Sequence, residues 1–414
     1  MSVPSPPGSV ADLAPPSAAG LAGACVLQVI PALETGGAER TTLEVARALV
    51  AAGARSVVAS EGGGLVPRLE AEGSCHVRLP VASKNPFQML RNRRLLRRLA
   101  RDCGAGLIHA RSRAPAWPAL WAARDLGLPL VTTYHGAYGA RGRAKAYYNS
   151  VMARGDVVIA NSRFTAEAIR AAYAGWSFMD EARLVTIPRG ADLSAFDPAA
   201  LTEERRAAAR AALGGGAFGV LLPGRLTAWK GQRVLIDAAR LLRDRGQAPG
   251  LTVALVGGAQ GRDGYEGELR GMIEAHGLTD IVHLRGHWDD MPAAYDWADV
   301  VVSASTRPEA FGRVAVEAMA MGRPVLASAH GGALETVVDG ETGRLVLPGD
   351  AGALADALAA LRADPDARAR LGAAGRARAR DRFSVEAMTS ATLSVYKGLL
   401  DGESRTQAPQ GDAR

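Results

Sequence analysis

The stretch DVVVSASTRPEAFGRVAVEAMAMGRPVLAS, residues 299–328, sets the fold. Its opening, DVVVSAS, and its close, RPVLAS, are apolar runs of buried-strand length, and between them GRVAVEAMAMG carries a helical apolar pattern ended by Gly322. Strand, helix and strand in such close succession read as a parallel crossover. The same rhythm extends outward in both directions. Upstream, CVLQVI, RSVVAS, GLIHA, PLVTTYH, DVVIAN and RLVTIPRG alternate with helical segments such as AERTTLEVARALVAAG. After ADLSAFDPAALTEERRAAARAALGGG the alternation restarts with FGVLLPGR, LTVALVGG and IVHLRG and runs on to GRLVLP. The expected fold is α/β, two doubly wound Rossmann-like domains facing each other across a cleft. We place a disordered tail at 1–22, the N-terminal Rossmann-like domain at 23–195 and the C-terminal Rossmann-like domain at 196–383. A C-terminal helix at 384–401 and a polar tail at 402–414 complete the chain.

Composition agrees with two cores. With 414 residues, 48% hydrophobic and 22% charged, the chain exceeds the roughly 250–300 residues at which one core stops growing. Cys25, Cys75 and Cys103 are isolated from one another, lack zinc spacing and are too few for a disulfide framework, which points to a reducing, cytoplasmic setting. The first residues carry no basic cluster followed by an apolar run, and no run approaches the roughly 18 residues of a membrane span.

The net charge of +7 is local. Nine Lys or Arg fall between Lys84 and Arg113 against the single Asp102, so the rest of the chain is close to neutral. NPFQMLRNRRLLRRLARD reads as a helix with leucines on one side and Arg91, Arg93, Arg94, Arg97, Arg98 and Arg101 around the remainder. That face is either a solvated surface or a docking patch for an anionic membrane or a phosphorylated acceptor. It lacks the interleaved aromatics of a nucleic-acid binder, and we expect no nucleic-acid partner.

Within the opening stretch, Glu309 lies in the loop after a strand and Glu317 inside the helix, so the two carboxylates approach a ligand from separate directions. Gly312 clears the way to the unpaired N–H groups of the helix start. A second motif matches it: in LLPGRLTAWKGQRVLIDAA, Arg225 follows the strand-ending Gly224, and Lys230 precedes Gly231 and a helix. Two cations on a strand-to-helix loop suit a diphosphate.

Strand-Gly-Arg-x5-Lys-Gly followed by E-x7-E resembles the retaining GT-B glycosyltransferases of family 4. The resemblance runs from about Cys25 to Leu400 and takes in PALETGGAER, TTYHG and TIPRGADLSAF. It implies that Arg225 and Lys230 bind the donor diphosphate, that Glu317 receives the ribose hydroxyls and that Glu309 lies beside the transferred sugar. It further implies that Phe311 and Gly312 contact the donor through backbone N–H groups, that Gly36 and Gly37 close over its phosphates, and that His135 lies near the anomeric centre. Arg189 stands where many relatives have Asn. His135, Glu309, Arg225 and Lys230 form the expected catalytic set.

The implied reaction moves a hexose, mannose or glucose, from a GDP or UDP sugar to a glycan or lipid-linked acceptor. IHARSRAPAW, TTYHGAYG and the arginine helix resemble cytoplasmic-face transferases that build lipopolysaccharide core or similar envelope glycans, peripheral on the inner face of the plasma membrane. No cofactor or metal is called for: the D-x-D match at Asp364 to Asp366 has Pro at its centre and reads as a helix start. GGGAFG, residues 214–219, precedes a strand instead of following one, which removes the dinucleotide reading. A sugar-nucleotide epimerase of the same fold and a non-catalytic nucleotide-sugar-binding protein are the alternatives.

Overall fold

The computed structural model describes residues 20–34, 36–136, 142–259 and 263–402. The chain divides into two compact units, one of Met1–Gly190 with Val385–Arg414 and one of Ala191–Ser384.

The first unit runs β1 (Cys25–Val29), α1 (Gly37–Ala51), β2 (Arg55–Ser60), α2 (Val66–Ala71), β3 (Cys75–Arg78), α3 (Pro86–Asp102), β4 (Leu107–Ala110), α4 (Arg113–Leu126), β5 (Leu130–Tyr134), α5 (Arg143–Asn149), β6 (Val157–Ala160), α6 (Arg163–Tyr173) and β7 (Leu184–Thr186). Its strands pair in the order β3-β2-β1-β4-β5-β6-β7, all parallel. Buried on both faces, the central strands are mainly apolar: Leu27, Val29 and Ile108 join one core, Val26, Leu107 and Val131 the other. β3 escapes a reading by apolar runs because CHVR is half-exposed on the sheet edge.

The second unit runs α7 (Glu203–Leu213), β8 (Phe218–Pro223), α8 (Gln232–Asp244), β9 (Leu251–Val256), α9 (Asp263–Ala275), β10 (Val282–Gly286), α10 (Met291–Trp297), β11 (Val300–Ser303), α11 (Arg313–Ala320), β12 (Val325–Ser328), α12 (Ala333–Thr336), β13 (Gly343–Val346), α13 (Ala351–Ala363) and α14 (Pro365–Phe383). Strand order is β10-β9-β8-β11-β12-β13, again all parallel. The glycine run 214–219 leads into β8. Asp364 caps α14, accepting from the Ala367 N–H at 2.8 Å, with Pro365 in the first turn.

The last helix, α15 (Val385–Leu400), belongs to the first unit, where Met388, Tyr396 and Leu399 share a core with Val26 and Leu107. Where the chain enters and leaves the second unit, Ala191 and Ser384 form an isolated bridge, and the Ala191 N–H donates to the Phe383 carbonyl at 2.8 Å.

Two expectations need correction. The tail drawn at 1–22 reaches too far, because Leu21 is 4% exposed and packs in the core with Val26 and Leu49; residues 1–19, and all of 402–414 except Gly402, lie outside the described residues. Nor are the cysteines isolated from one another. β1 and the end of α3 bring Cys25 beside Cys103, whose thiol, with the Arg55 guanidinium and against the effect of burial, lowers the Cys25 pKa to about 7.

Candidate functional site

In each sheet the strand order reverses direction at one place, between β1 and β4 and between β8 and β11, and ligands of such sheets bind at the carboxyl ends of those strands. Those ends carry most of the residues singled out from sequence.

In the second unit, β8 ends at Gly224 and the chain turns through Arg225 and a 3-10 turn at Ala228–Lys230 to Gly231. Gly231 has φ +81°, and a Cβ there would lie 1.9 Å from the Ala304 carbonyl oxygen just past β11, so only glycine fits. The close approach brings Lys230 to Glu309, Nζ to Oε2 at 2.7 Å, with both side chains largely shielded from water. The ammonium also sits over the Trp229 ring, 4.6 Å from its centroid. The Ser305 hydroxyl donates to the other carboxylate oxygen, and the Ser305 carbonyl is hydrogen-bonded to His330 Nε2 at 2.7 Å. The Glu309 carbonyl accepts from the Gly332 N–H at 2.7 Å, and a Cβ on Gly331 would clash with the Glu309 backbone.

Glu317 is buried in α11. Its Oε2 accepts from the Tyr295 hydroxyl at 2.8 Å and its Oε1 from Arg313 Nε at 2.9 Å. Burial, reinforced by Glu317, pushes the Tyr295 hydroxyl pKa up, which keeps it a donor. Each Glu317 oxygen retains a lone pair. Phe311 packs its ring on Phe383, and Gly312, at φ +79°, is the N-cap of α11. Arg225 is exposed, and its guanidinium has no ion pair among the described residues. Its backbone is fixed by buried Gln232, whose Nε2 donates to the Arg225 carbonyl at 3.0 Å. The loop therefore offers one open cation, one cation shared with a carboxylate, and an uncapped helix start.

In the first unit, Gly36 is the N-cap of α1 and Gly37 its first residue; a Cβ on Gly36 would meet the Glu39 carboxylate, and one on Gly37 would meet the Arg189 guanidinium. His135 follows β5. Burial, then the fields of Arg111 and Arg189, lower its pKa to about 3, so the imidazole is neutral, and its Nε2, shielded from solvent, has no hydrogen-bond partner among the described residues. Arg111, just past β4, is 2% exposed and donates from Nε (3.0 Å) and Nη2 (2.5 Å) to Gln28 Oε1. His109, on the same face, is tied to Tyr396 at 2.5 Å and to Thr133 at 2.7 Å.

A family model described as Glycosyltransferase Family 4 matches residues 35–195, and one described as Glycosyl transferases group 1 matches residues 207–378. A solved glycosyltransferase from Rickettsia africae ESF-5 is 32% identical, with a TM-score of 0.82, over 93% of this chain and 100% of that one. The chain belongs to the glycosyltransferases. A curated D-inositol 3-phosphate glycosyltransferase of Arthrobacter sp. (strain FB24) is 37% identical over 218 residues, 52% of this chain and 50% of the relative. The chain spans about half the length of the curated relatives it matches first, 50% of one and 58% of the next. Anabaena HepE, solved with UDP and glucose, is 27% identical with a TM-score of 0.73, over 91% of this chain and 100% of that one. Both units have the Rossmann-like architecture of GT-B glycosyltransferases.

In this glycosyltransferase the structure joins Lys230 to Glu309 directly and sets Arg225, Phe311 and Gly312 at the same strand ends, while Glu317 is engaged from α10 and α11. Ser305, His330, Tyr295 and Arg111 were missed by the reading from sequence. The Gly331-Gly332 pair in the loop after β12 was the available signal for the first two. Thr35 of PALETGGAER and residues 137–141, which include part of TTYHGAYG, lie outside the described residues.

The arginine helix of the glycosyltransferase is not uniformly free. Arg93 holds Asp125 of α4 with both Nε (2.7 Å) and Nη2 (2.5 Å), Arg97 lies 3.8 Å from the same carboxylate, and Arg98 lies 3.5 Å from Asp102. Arg91, Arg94 and Arg101 are exposed, as is Lys84, and beside them Phe87 is 83% and Leu90 51% exposed. Among the described residues no helix is long and apolar enough to cross a membrane.

Proposed function

We propose that the protein transfers a hexose, with retention of anomeric configuration, from a nucleoside-diphosphate sugar to a glycan or lipid-linked acceptor of the cell envelope. The observation that carries this is the Lys230–Glu309 pair beside Arg225 at the ends of β8 and β11. As the donor bond breaks, negative charge grows on the diphosphate and positive character on the sugar. Arg225, Lys230 and the N–H groups at the start of α11 stabilise the first change most in the transition state, so they supply the charge a metal would otherwise bring. Glu309, oriented by Ser305 and Lys230, binds sugar hydroxyls; Glu317, oriented by Tyr295 and Arg313, binds the ribose. His135 is a neutral hydrogen-bonding group at the sugar and not an acid. Among donors a UDP sugar is favoured, since HepE is solved with UDP and glucose. The exposed side of α3, with Lys84, Arg91 and Arg94 around Phe87 and Leu90, supports docking to an anionic membrane on its cytoplasmic face.

A second reading of the acceptor, a phosphorylated polyol, is favoured by the name of the curated relatives. The test is nucleotide release from UDP- and GDP-hexoses, with deacylated lipid oligosaccharide or an inositol phosphate as acceptor and NMR of the product anomer. Acceptor-dependent release with an α-linked product from an α-linked donor is expected. Release without acceptor stimulation by any glycan or polyol, or an inverted product, rejects the reading.

A further inference from the structure

Glu309 is held from two sides. The loop after β8 supplies Lys230, paired with its carboxylate, and the Trp229 carbonyl, which accepts from the Thr306 N–H at 2.7 Å. The loop after β12 supplies three further contacts. The Gly332 N–H donates to the Glu309 carbonyl at 2.7 Å, Gly331 leaves no room for a Cβ against the Glu309 backbone, and His330 Nε2 lies 2.7 Å from the Ser305 carbonyl oxygen. His330 is itself set by a tight turn just past β12, its N–H donating to the Ser328 carbonyl at 2.7 Å.

The His330 contact runs in one direction. A carbonyl only accepts, so Nε2 carries the proton and donates. Ser305 is 4% exposed, so water is poorly placed to replace that donor, and among the described residues no other donor reaches this carbonyl. Ser305 passes the constraint on: its hydroxyl donates to Glu309 Oε1, while Lys230 holds Oε2. Imidazole to carbonyl and hydroxyl to carboxylate thus form a relay of two hydrogen bonds that ends on Glu309.

We propose that His330 is a positioning residue of the donor site: through Ser305 it fixes the Glu309 carboxylate against the hydroxyls of the transferred sugar. This rests on the transferase reading and extends it to the loop after β12. Glu317, which takes the ribose, is engaged separately, by Tyr295 and Arg313. His330 therefore contributes to holding the hexose and not the nucleotide.

Calorimetry of the full chain with UDP-glucose and with UDP tests this in His330→Phe, His330→Gln and Glu309→Ala. Phe keeps a ring and removes the donor, whereas Gln removes the ring and keeps a side-chain N–H. His330→Phe is expected to weaken UDP-glucose about tenfold, the scale of a buried acceptor losing its donor, and to leave UDP unchanged. His330→Gln is expected to bind both ligands nearly as the unmodified protein does. Ser305→Ala cuts the relay at its second bond and is expected to match His330→Phe, which keeps the test open if the Phe variant does not fold. In the Glu309→Ala background His330→Phe is expected to have no further effect, because its influence runs through that carboxylate. A packing role for the ring predicts the reverse order, Phe tolerated and Gln not, and that result overturns the inference. Equal losses of UDP and UDP-glucose in His330→Phe, or additive losses in the double variant, also overturn it. Loss of UDP-glucose in Glu309→Ala with none in His330→Phe and Ser305→Ala removes the inference and leaves the donor site standing. Intact UDP-glucose binding in Glu309→Ala, or no binding of either ligand by the unmodified protein, removes the donor reading and the inference with it.

Discussion

Lys230 and Arg225 occupy one loop yet differ in what their removal leaves behind. Arg225 is exposed, so Arg225→Ala is expected to leave stability within about 0.5 kcal/mol while cutting turnover roughly a hundredfold, the scale of a lost transition-state contact. Lys230→Ala also strands Glu309 with Ser305 as its remaining side-chain partner, so it is expected to lose turnover at least as severely and to lower the melting temperature. Full turnover in both variants at saturating donor contradicts the site. Glu317→Ala is expected to weaken both UDP and the intact donor in calorimetry, whereas Glu309→Ala spares UDP; equal losses for both ligands in both variants contradict the division of roles. The histidines make a separate claim. In the unfolded chain His135 and His109 bind a proton near pH 6.5, but folded His135 does so only near 3 and His109 is also held well below its usual value by burial. Below pH 6.5 the unfolded state therefore binds more protons, and stability, fully present above 6.5, is lost on acidification by about 1 kcal/mol per pH unit for each group. Denaturant midpoints at pH 7.5, 6 and 5 measure this, and His109→Gln is expected to flatten the slope. The cations and carboxylates were legible because residue type and spacing carry their chemistry. Ser305 and Tyr295 were not, because a lone serine or tyrosine gains its meaning only from the carboxylate the fold sets beside it.

Between elements, α3 shows how a sequence-local charge count misleads. Nine basic residues face one acid in the window from Lys84 to Arg113, but Asp125, 32 residues beyond Arg93, neutralises part of the helix from α4. No periodicity within α3 could reveal that partner. What remains open is the N-terminal half, where Phe87 and Leu90 project among Lys84, Arg91 and Arg94. Each cation near an anionic surface contributes about 1 kcal/mol, and each buried apolar side chain about 1.5–3 kcal/mol if fully inserted. Phe87→Ser with Leu90→Ser is expected to abolish sedimentation with anionic vesicles. Arg91→Gln with Arg94→Gln is expected to remove its salt dependence, donor affinity being unchanged in both. Arg93→Gln is expected instead to lower stability slightly, by leaving exposed Asp125 without its bidentate partner. If the unmodified protein does not bind vesicles in low salt, the patch is a solvated face. The strands were legible for a related reason: buried parallel strands are mainly apolar runs, whereas β3, the short half-exposed edge strand CHVR, lacks that signature.

At the scale of the molecule, two sheets with the same order of winding were readable from the restart of the strand rhythm, but the destination of α15 was not, since an apolar helix face does not say which sheet it covers. It covers the first. A fragment ending at Gly190 is expected to expose the face formed by Val26, Leu107 and Val131 and to aggregate, whereas the same fragment joined by a flexible linker to residues 385–402 stays soluble; solubility of the shorter fragment would show that the helix is dispensable. This arrangement also fixes an order of events during synthesis. The sheet of the first unit is made first, but the helix that closes it follows the whole of Ala191–Ser384, a delay on the order of tens of seconds at ordinary elongation rates. Throughout that interval the nascent chain carries an uncovered apolar sheet face, and it still does at the end, when the second unit first has every residue it needs to fold. The half-made protein is therefore expected to need ribosome-associated chaperones, and a chain stopped just before α15 is expected to be degraded faster than the full chain in a pulse-chase, even though every residue of the donor loop has been translated.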